Sequence, residues 1–135
     1  MIEPERRIYL ASRSPRRKEL LDQIGIAYEV VGTDVEERRN EDEPVADYVT
    51  RMAKAKAEAA ASATAQPWPI LAADTEVVLD NRILGKPPDR VAAVEMLMSL
   101  SGRAHRVLTA VALLHKRLDY RLSESRVYLL SLIHI

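Results

Sequence analysis

Apolar and polar residues follow one another along this chain with two different periods, and each change of period marks a predicted element. Ile8-Tyr9-Leu10-Ala11 is a brief apolar run that predicts a strand near 7–12. Glu19-Leu20-Leu21-Asp22-Gln23-Ile24 then has helical spacing until Gly25 ends it, so a helix is expected over 15–25. A strand at 27–31 leads into an acidic loop at 32–43 and a helix over about 44–64, whose end at 57–65 is alanine-rich. Beyond the linker Gln66-Pro67-Trp68-Pro69 come a strand at 70–79, a turn at Asp80-Asn81-Arg82 and the loop Gly85-Lys86-Pro87-Pro88-Asp89. A helix at 90–100 and strands near 104–115 and 118–127 complete the pattern. Strands alternating with helices predict an α/β sandwich around a mixed sheet, with no internal repeat.

Composition adds limits. A chain of 135 residues, 47% of them apolar, supports one core. Twenty basic and twenty acidic residues cancel, which gives no case for a nucleic-acid or membrane-surface protein. Locally the charges separate: residues 1–27 hold six basic and four acidic side chains, residues 28–50 eight acidic and two basic. That arrangement suits an anionic ligand accompanied by a divalent cation, although solvated loop carboxylates would look the same. The absence of cysteine removes disulfides and thiolate metal sites. With no signal-like or membrane-length apolar segment, a cytoplasmic protein is expected.

The densest chemistry lies where the first strand turns into the first helix, at Ser12-Arg13-Ser14-Pro15-Arg16-Arg17. Ser14 can cap that helix and Pro15 suits its first position. Free backbone donors, the positive end of the helix dipole, two hydroxyls and three guanidinium groups would then converge where an anion could sit. An ordinary capped helix with solvated arginines fits the same six residues.

Further along, Val45, Val49 and Met52 mark the apolar stripe of the long helix, and Lys56 follows Met52 at i+4, aimed at the body of the protein or snorkelling to its rim. Lys54 points about 160° away from that edge of the stripe. In Ile70-Leu71-Ala72-Ala73-Asp74-Thr75-Glu76-Val77-Val78-Leu79 a carboxylate interrupts a largely buried strand, and Asp74 there needs a cation, donors or a raised pKa. Such an acid is a candidate metal ligand or general base. Period-two alternation puts Glu76 on the face of Asp74. Gly85-Lys86-Pro87 offers close backbone approach and a point charge for a phosphate. His105, in Leu100-Ser101-Gly102-Arg103-Ala104-His105, reads as structural.

Taken in order, Leu10-Ala11-Ser12 through Pro15-Arg16-Arg17, Glu36-Glu37, Tyr48-Val49-Thr50-Arg51 through Lys54-Ala55-Lys56-Ala57, Ala73-Asp74-Thr75, Gly85-Lys86-Pro87 and Leu100-Ser101-Gly102-Arg103 resemble the successive motifs of the Maf family of nucleoside triphosphate pyrophosphatases. The resemblance implies a Maf/ITPase-like mixed β-sheet flanked by helices. It also implies hydrolysis between the α and β phosphates, with a divalent cation, Mg²⁺ or Mn²⁺. On that pattern Ser12, Arg16 and Arg17 cradle the triphosphate, Glu37 and Asp74 hold or orient the metal, and Lys56 and Lys86 neutralise developing charge. The family's proton acceptor maps onto Asp74. Thr75 and Arg16 resemble the branch acting on dTTP and UTP, whereas a branch acting on 7-methyl-GTP tends to have Ser-Asp-Gln there. The implied role is housecleaning of the nucleotide pool, with nucleoside triphosphate as partner, neither nucleic acid nor membrane, and a homodimer allowed for the full-length form.

Two departures from the family accompany the match. Glu76 stands where relatives usually have an apolar residue. The chain also ends before a Gly-Glu-Pro-x-Asp-Lys-Ala-Gly-x-Tyr segment and a glutamine that helps choose the base, so residues 1–135 are expected to form a single domain incomplete at the C-terminus, lacking its last third, with 128–135 a tail foreign to the family. Weak or absent activity and a tendency to aggregate are expected from such a form. The alternative readings are a non-catalytic phosphate-binding regulatory module linked to cell division and an inactive fragment.

Overall fold

The structure, a computed structural model, describes residues 7–130. Its elements run β1 (Arg7–Ala11), α1 (Pro15–Gln23), β2 (Ala27–Val30), α2 (Val45–Ala63), β3 (Ile70–Leu79), β4 (Arg82–Leu84), α3 (Arg90–Leu100), β5 (Ala104–His115) and β6 (Arg117–Tyr128). The expected mixed sheet flanked by helices is the observed architecture: six strands, ordered β2-β1-β3-β5-β6, with β4 paired to β3 off that path. β1 runs parallel to β2 and β3, while β4 and β5 run antiparallel to β3, and β6 antiparallel to β5. Only β4 escaped the sequence pattern, because three residues are too few to show a period. It exists because Asp80 and Asn81, at φ 51° and 64°, close a two-residue hairpin with the left-handed backbone those side chains tolerate.

The pairing of β3 shapes the molecule. On one side it is matched to β5 from Ile70 to Val78. On the other, β1 pairs with residues 70–72 and β4 with residues 77–79. Residues 73–76, which include Asp74, therefore have no strand neighbour on that side, and the chain leaving the carboxyl end of β1 crosses beside this gap. Diverging neighbours at a carboxyl end form the crevice in which open α/β sheets bind ligands.

One sheet face is closed by α2. Tyr48, Val49, Met52, Ala53, Ala57 and Ala60 are buried along its stripe, against Ile70, Ala72, Val78, Leu108, Ala110 and Ala112. Ala57, Ala60, Ala72, Ala110 and Ala112 are all 0% exposed. Small side chains on both surfaces let helix and sheet approach closely, so the alanine-rich stretch is packing surface. The linker is docked as well: Trp68 packs on Tyr9 with ring centroids 4.8 Å apart, and the Gln66 backbone N–H donates to the Tyr9 hydroxyl.

The opposite face is covered only in part: Leu10 and Ala73 are buried there, 1% and 5% exposed, but its β5 side is open. Val111 and Leu113, cross-strand partners of Ala73 and Leu71, are 37% and 41% exposed. α3 is capped by Asp89, whose carboxylate accepts from the Ala92 amide at 2.8 Å. It buries only Leu100, while Val91, Val94, Leu97 and Met98 remain exposed. Of the tail expected at 128–135, Tyr128 ends β6 and Leu129 exchanges backbone hydrogen bonds with Gly102 and Arg103; residues 131–135 lie outside the described residues.

Candidate active site

β1 is apolar and buried from Tyr9 to Ala11, which brings Ser12 into the interior at its carboxyl end, 8% exposed. Pro15 opens α1 and Ser14 stands at its N-cap position as expected, but the Ser14 side chain makes no capping hydrogen bond. The Ser12 hydroxyl instead accepts the Ser14 amide at 3.2 Å, a turn that closes two residues on. No side chain caps α1. The Arg16 and Arg17 amides of its first turn are thus left without a side-chain acceptor among the described residues, as an anion site requires.

That cleft, about 1390 Å³, opens at the gap beside β3. Ser12, Arg13 and Arg17 line one wall, Glu37 and Lys56 another, and Lys86 with Gly85 the far rim. The structure thus brings together Ser12, Arg17, Glu37, Lys56, Asp74, Thr75 and Lys86. Arg16 is exposed and does not line the cleft; Arg13, which sequence reasoning passed over individually, does. His105 is buried away from the cleft, with Nδ1 lacking a hydrogen-bond partner among the described residues.

Arg17 ties the phosphate-type loop to the sheet. Its Nη1 donates to Ser12 Oγ at 3.0 Å and its Nη2 to Thr75 Oγ1 at 2.9 Å, while Thr75 Oγ1 and Thr109 Oγ1 are hydrogen-bonded at 2.9 Å. Burial lowers the pKa of this guanidinium, opposed by the charge of Asp74. Arginine stays charged regardless.

On the α2 face of β3, Lys56 Nζ lies 3.0 Å from Asp74 Oδ1 and 3.0 Å from Glu37 Oε1. Lys56 is aimed inward, as its place on the stripe predicted. Lys54 is not simply solvated: its ammonium stands 4.1 Å from the Tyr120 ring centre. Burial depresses the Lys56 ammonium, yet the hydrogen bonds and charges of Asp74 and Glu37 outweigh it and hold the pKa above the usual lysine value. Burial raises the Asp74 carboxyl, with Lys56 opposing. Asp74 Oδ2 is buried without a partner among the described residues.

Glu76 shares this environment. Burial, then the charges of Asp74 and Glu37, push its carboxyl up to about 7. Tyr48, beneath the same carboxylates, is pushed up to about 12 by burial and by Glu76, Asp74 and Glu37, so its hydroxyl stays neutral. Glu37 sits on the acidic loop, which Arg51 of α2 pins by donating to both Glu43 carboxylate oxygens and to the Arg38 carbonyl, each at 2.8 Å. Those hydrogen bonds lower Glu43 to about 2.

The donor set suits a hard divalent cation, since every candidate is a carboxylate oxygen and one of them, Asp74 Oδ2, is buried and unpaired. Among the described residues no three His, Cys, Asp or Glu side chains are grouped to hold an ion on their own. Mg²⁺ sites commonly use one or two carboxylates with phosphate oxygens and water.

Comparison with known proteins agrees with the geometry. The family model described as Maf-like protein matches residues 7–132. The chain is 50% identical over 106 residues to a protein named dTTP/UTP pyrophosphatase from Escherichia coli O6:K15:H31, covering 78% of this chain and 54% of that relative. It is 49% identical, with the same coverage, to a nucleoside triphosphate pyrophosphatase from Shigella flexneri. The chain thus spans about half the length of these curated relatives. In fold it is similar to the Ham1 protein of Staphylococcus aureus, with TM-score 0.56, 20% identity, and coverage of 90% of this chain and 69% of that one. With the motifs collinear and the match running through every strand and helix described, the chain belongs to the Maf family.

Proposed function

We propose that this chain carries the phosphate-binding and catalytic half of a nucleoside triphosphate pyrophosphatase, one acting on dTTP and UTP as its relatives' names indicate. The observation that carries the reading is the meeting, beside a gap in the sheet, of an uncapped helix N-terminus with Arg17 and of a buried carboxylate with a lysine.

In this reading the triphosphate lies along the cleft. Ser12, Arg13 and Arg17 with the first-turn amides of α1 bind its anionic end, Arg16 adds charge from outside, and Lys86 approaches from the β4 side. Glu37 would hold a divalent cation, with Asp74 helping to orient it, and the cation when bound supplies charge stabilisation to the phosphates. Lys56 fixes Asp74 through Oδ1, leaving the second oxygen to receive the proton of the water that attacks the α-phosphorus. The raised pKa of Asp74 makes it a better acceptor than a solvated carboxylate. Lys56 and Lys86 then offset the charge that develops as pyrophosphate leaves. A nucleotide-pool role in the cytoplasm is consistent with a chain free of cysteine.

The test is pyrophosphate release from a nucleotide panel with Mg²⁺ or Mn²⁺, on the purified chain beside Asp74→Asn. Whatever turnover of dTTP and UTP the chain supports is expected to fall at least about 100-fold in the variant, the usual scale for a general base. Nucleotide binding without release in the unaltered chain would instead identify a phosphate-binding module.

A further inference from the structure

We propose that Thr109, which does not line the cleft, is a positioning residue of this site, holding the Arg17 guanidinium through Thr75 in the orientation that receives phosphate. The inference rests on reading Arg17 as an anion ligand.

Arg17 has little else to orient it. Its helix α1 has no side-chain cap, buries only Leu21, and leaves Leu20 half exposed. Of the two bonds Arg17 makes, the one to Ser12 reaches only the residue that follows β1, five positions back along the same chain segment. The bond to Thr75 Oγ1 alone refers the guanidinium to β3, next to Asp74. Two of five N–H donors are engaged this way, which leaves three for an anion.

Thr75 is exposed, and its hydroxyl would choose among rotamers if left to itself. Thr109 prevents that. The two threonines are direct cross-strand partners in the antiparallel β3–β5 ladder, on the face opposite α2, and their hydroxyls are 2.9 Å apart. The series Thr109, Thr75, Arg17, Ser12 therefore connects the most extensively paired strand of the sheet to the anion loop across the gap.

Thr109→Val keeps the shape and removes the hydroxyl; Thr109→Ser keeps the hydroxyl. Each is made in the unaltered chain and in Arg17→Lys, with inorganic tripolyphosphate binding measured by calorimetry. Thr109→Val is expected to weaken binding about fivefold, the scale of one neutral hydrogen bond, with Thr109→Ser near the unaltered value and no effect of Thr109→Val once Arg17 is lysine. Equal losses in both backgrounds, or failure of serine to restore binding, would overturn the proposal. Nitrogen-15 NMR of the free chain reads the same contact without ligand: Thr109→Val should speed rotation of the Arg17 guanidinium, and unchanged rotation would overturn it even if no anion binds. Pyrophosphate release is scored separately, so an intact series in a chain that releases none counts against the proposed reaction alone.

Discussion

Lys56 and Asp74 are mutually dependent: each is largely withdrawn from water, and Asp74, unlike the exposed Glu37 that also meets the ammonium at 3.0 Å, has its charge offset inside the protein by Lys56. Lys56→Met would strand the carboxylate and is expected to cost about 3 kcal/mol in denaturant unfolding, whereas adding Asp74→Asn should recover much of the loss. Glu76 behaves differently because it has like-charged neighbours. Its carboxyl titrates at about 7 in the folded chain, against roughly 4.3 when unfolded. Between those values the folded state keeps a proton that the unfolded chain has released, so stability declines as pH rises through the window and the loss is complete above about 7. Metal-free Glu76→Gln should therefore melt higher than the unaltered chain near pH 8, by about 1 kcal/mol after solvent screening, and lose that advantage near pH 4. Asp74 and Lys56 were visible in sequence because a charge inside an apolar strand and a lysine on an apolar stripe both break a pattern. Thr109 broke none, and its contact with Thr75 spans 34 residues that only strand pairing brings together.

Among the elements, α2 does the most to define the molecule, since it closes one sheet face, delivers Lys56 to the site and pins the acidic loop through Arg51. Its grip depends on alanine meeting alanine. Ala57→Leu should push helix and sheet apart, costing about 1–3 kcal/mol by thermal unfolding and also weakening nucleotide binding, because Lys56 is one residue away. Element type was legible throughout wherever a stretch was long enough to repeat its period: the ends of α2 and β3 fall within a residue of expectation. Ser14 took the N-cap position expected of it but not the hydrogen bond, because side-chain engagement depends on how the loop leaves β1, where Ser12 accepts the Ser14 amide. Strand order was not legible at all, since pairings such as β1 with β3 join residues about sixty apart.

For the whole molecule, the imbalance between its two faces matters most. Val111 and Leu113 on the sheet, and Val91, Val94 and Leu97 on α3, leave apolar surface that the described residues do not cover. Sedimentation of the chain should show association that grows with concentration, together with binding of an apolar dye; a monodisperse sample that melts cooperatively and ignores the dye would count against this. The interrupted pairing of β3 reaches further. Along residues 73–76 every second residue turns its own N–H and C=O toward the gap, where no neighbouring strand among the described residues meets them. An edge has been placed inside the sheet, and hydrogen exchange should find amides in this central strand that exchange as fast as those of an outer one, slowing when nucleotide occupies the cleft. Recognition through the main chain does not depend on which side chain other than proline stands at position 76, so drift there would retune affinity while the way the ligand is seated stayed the same.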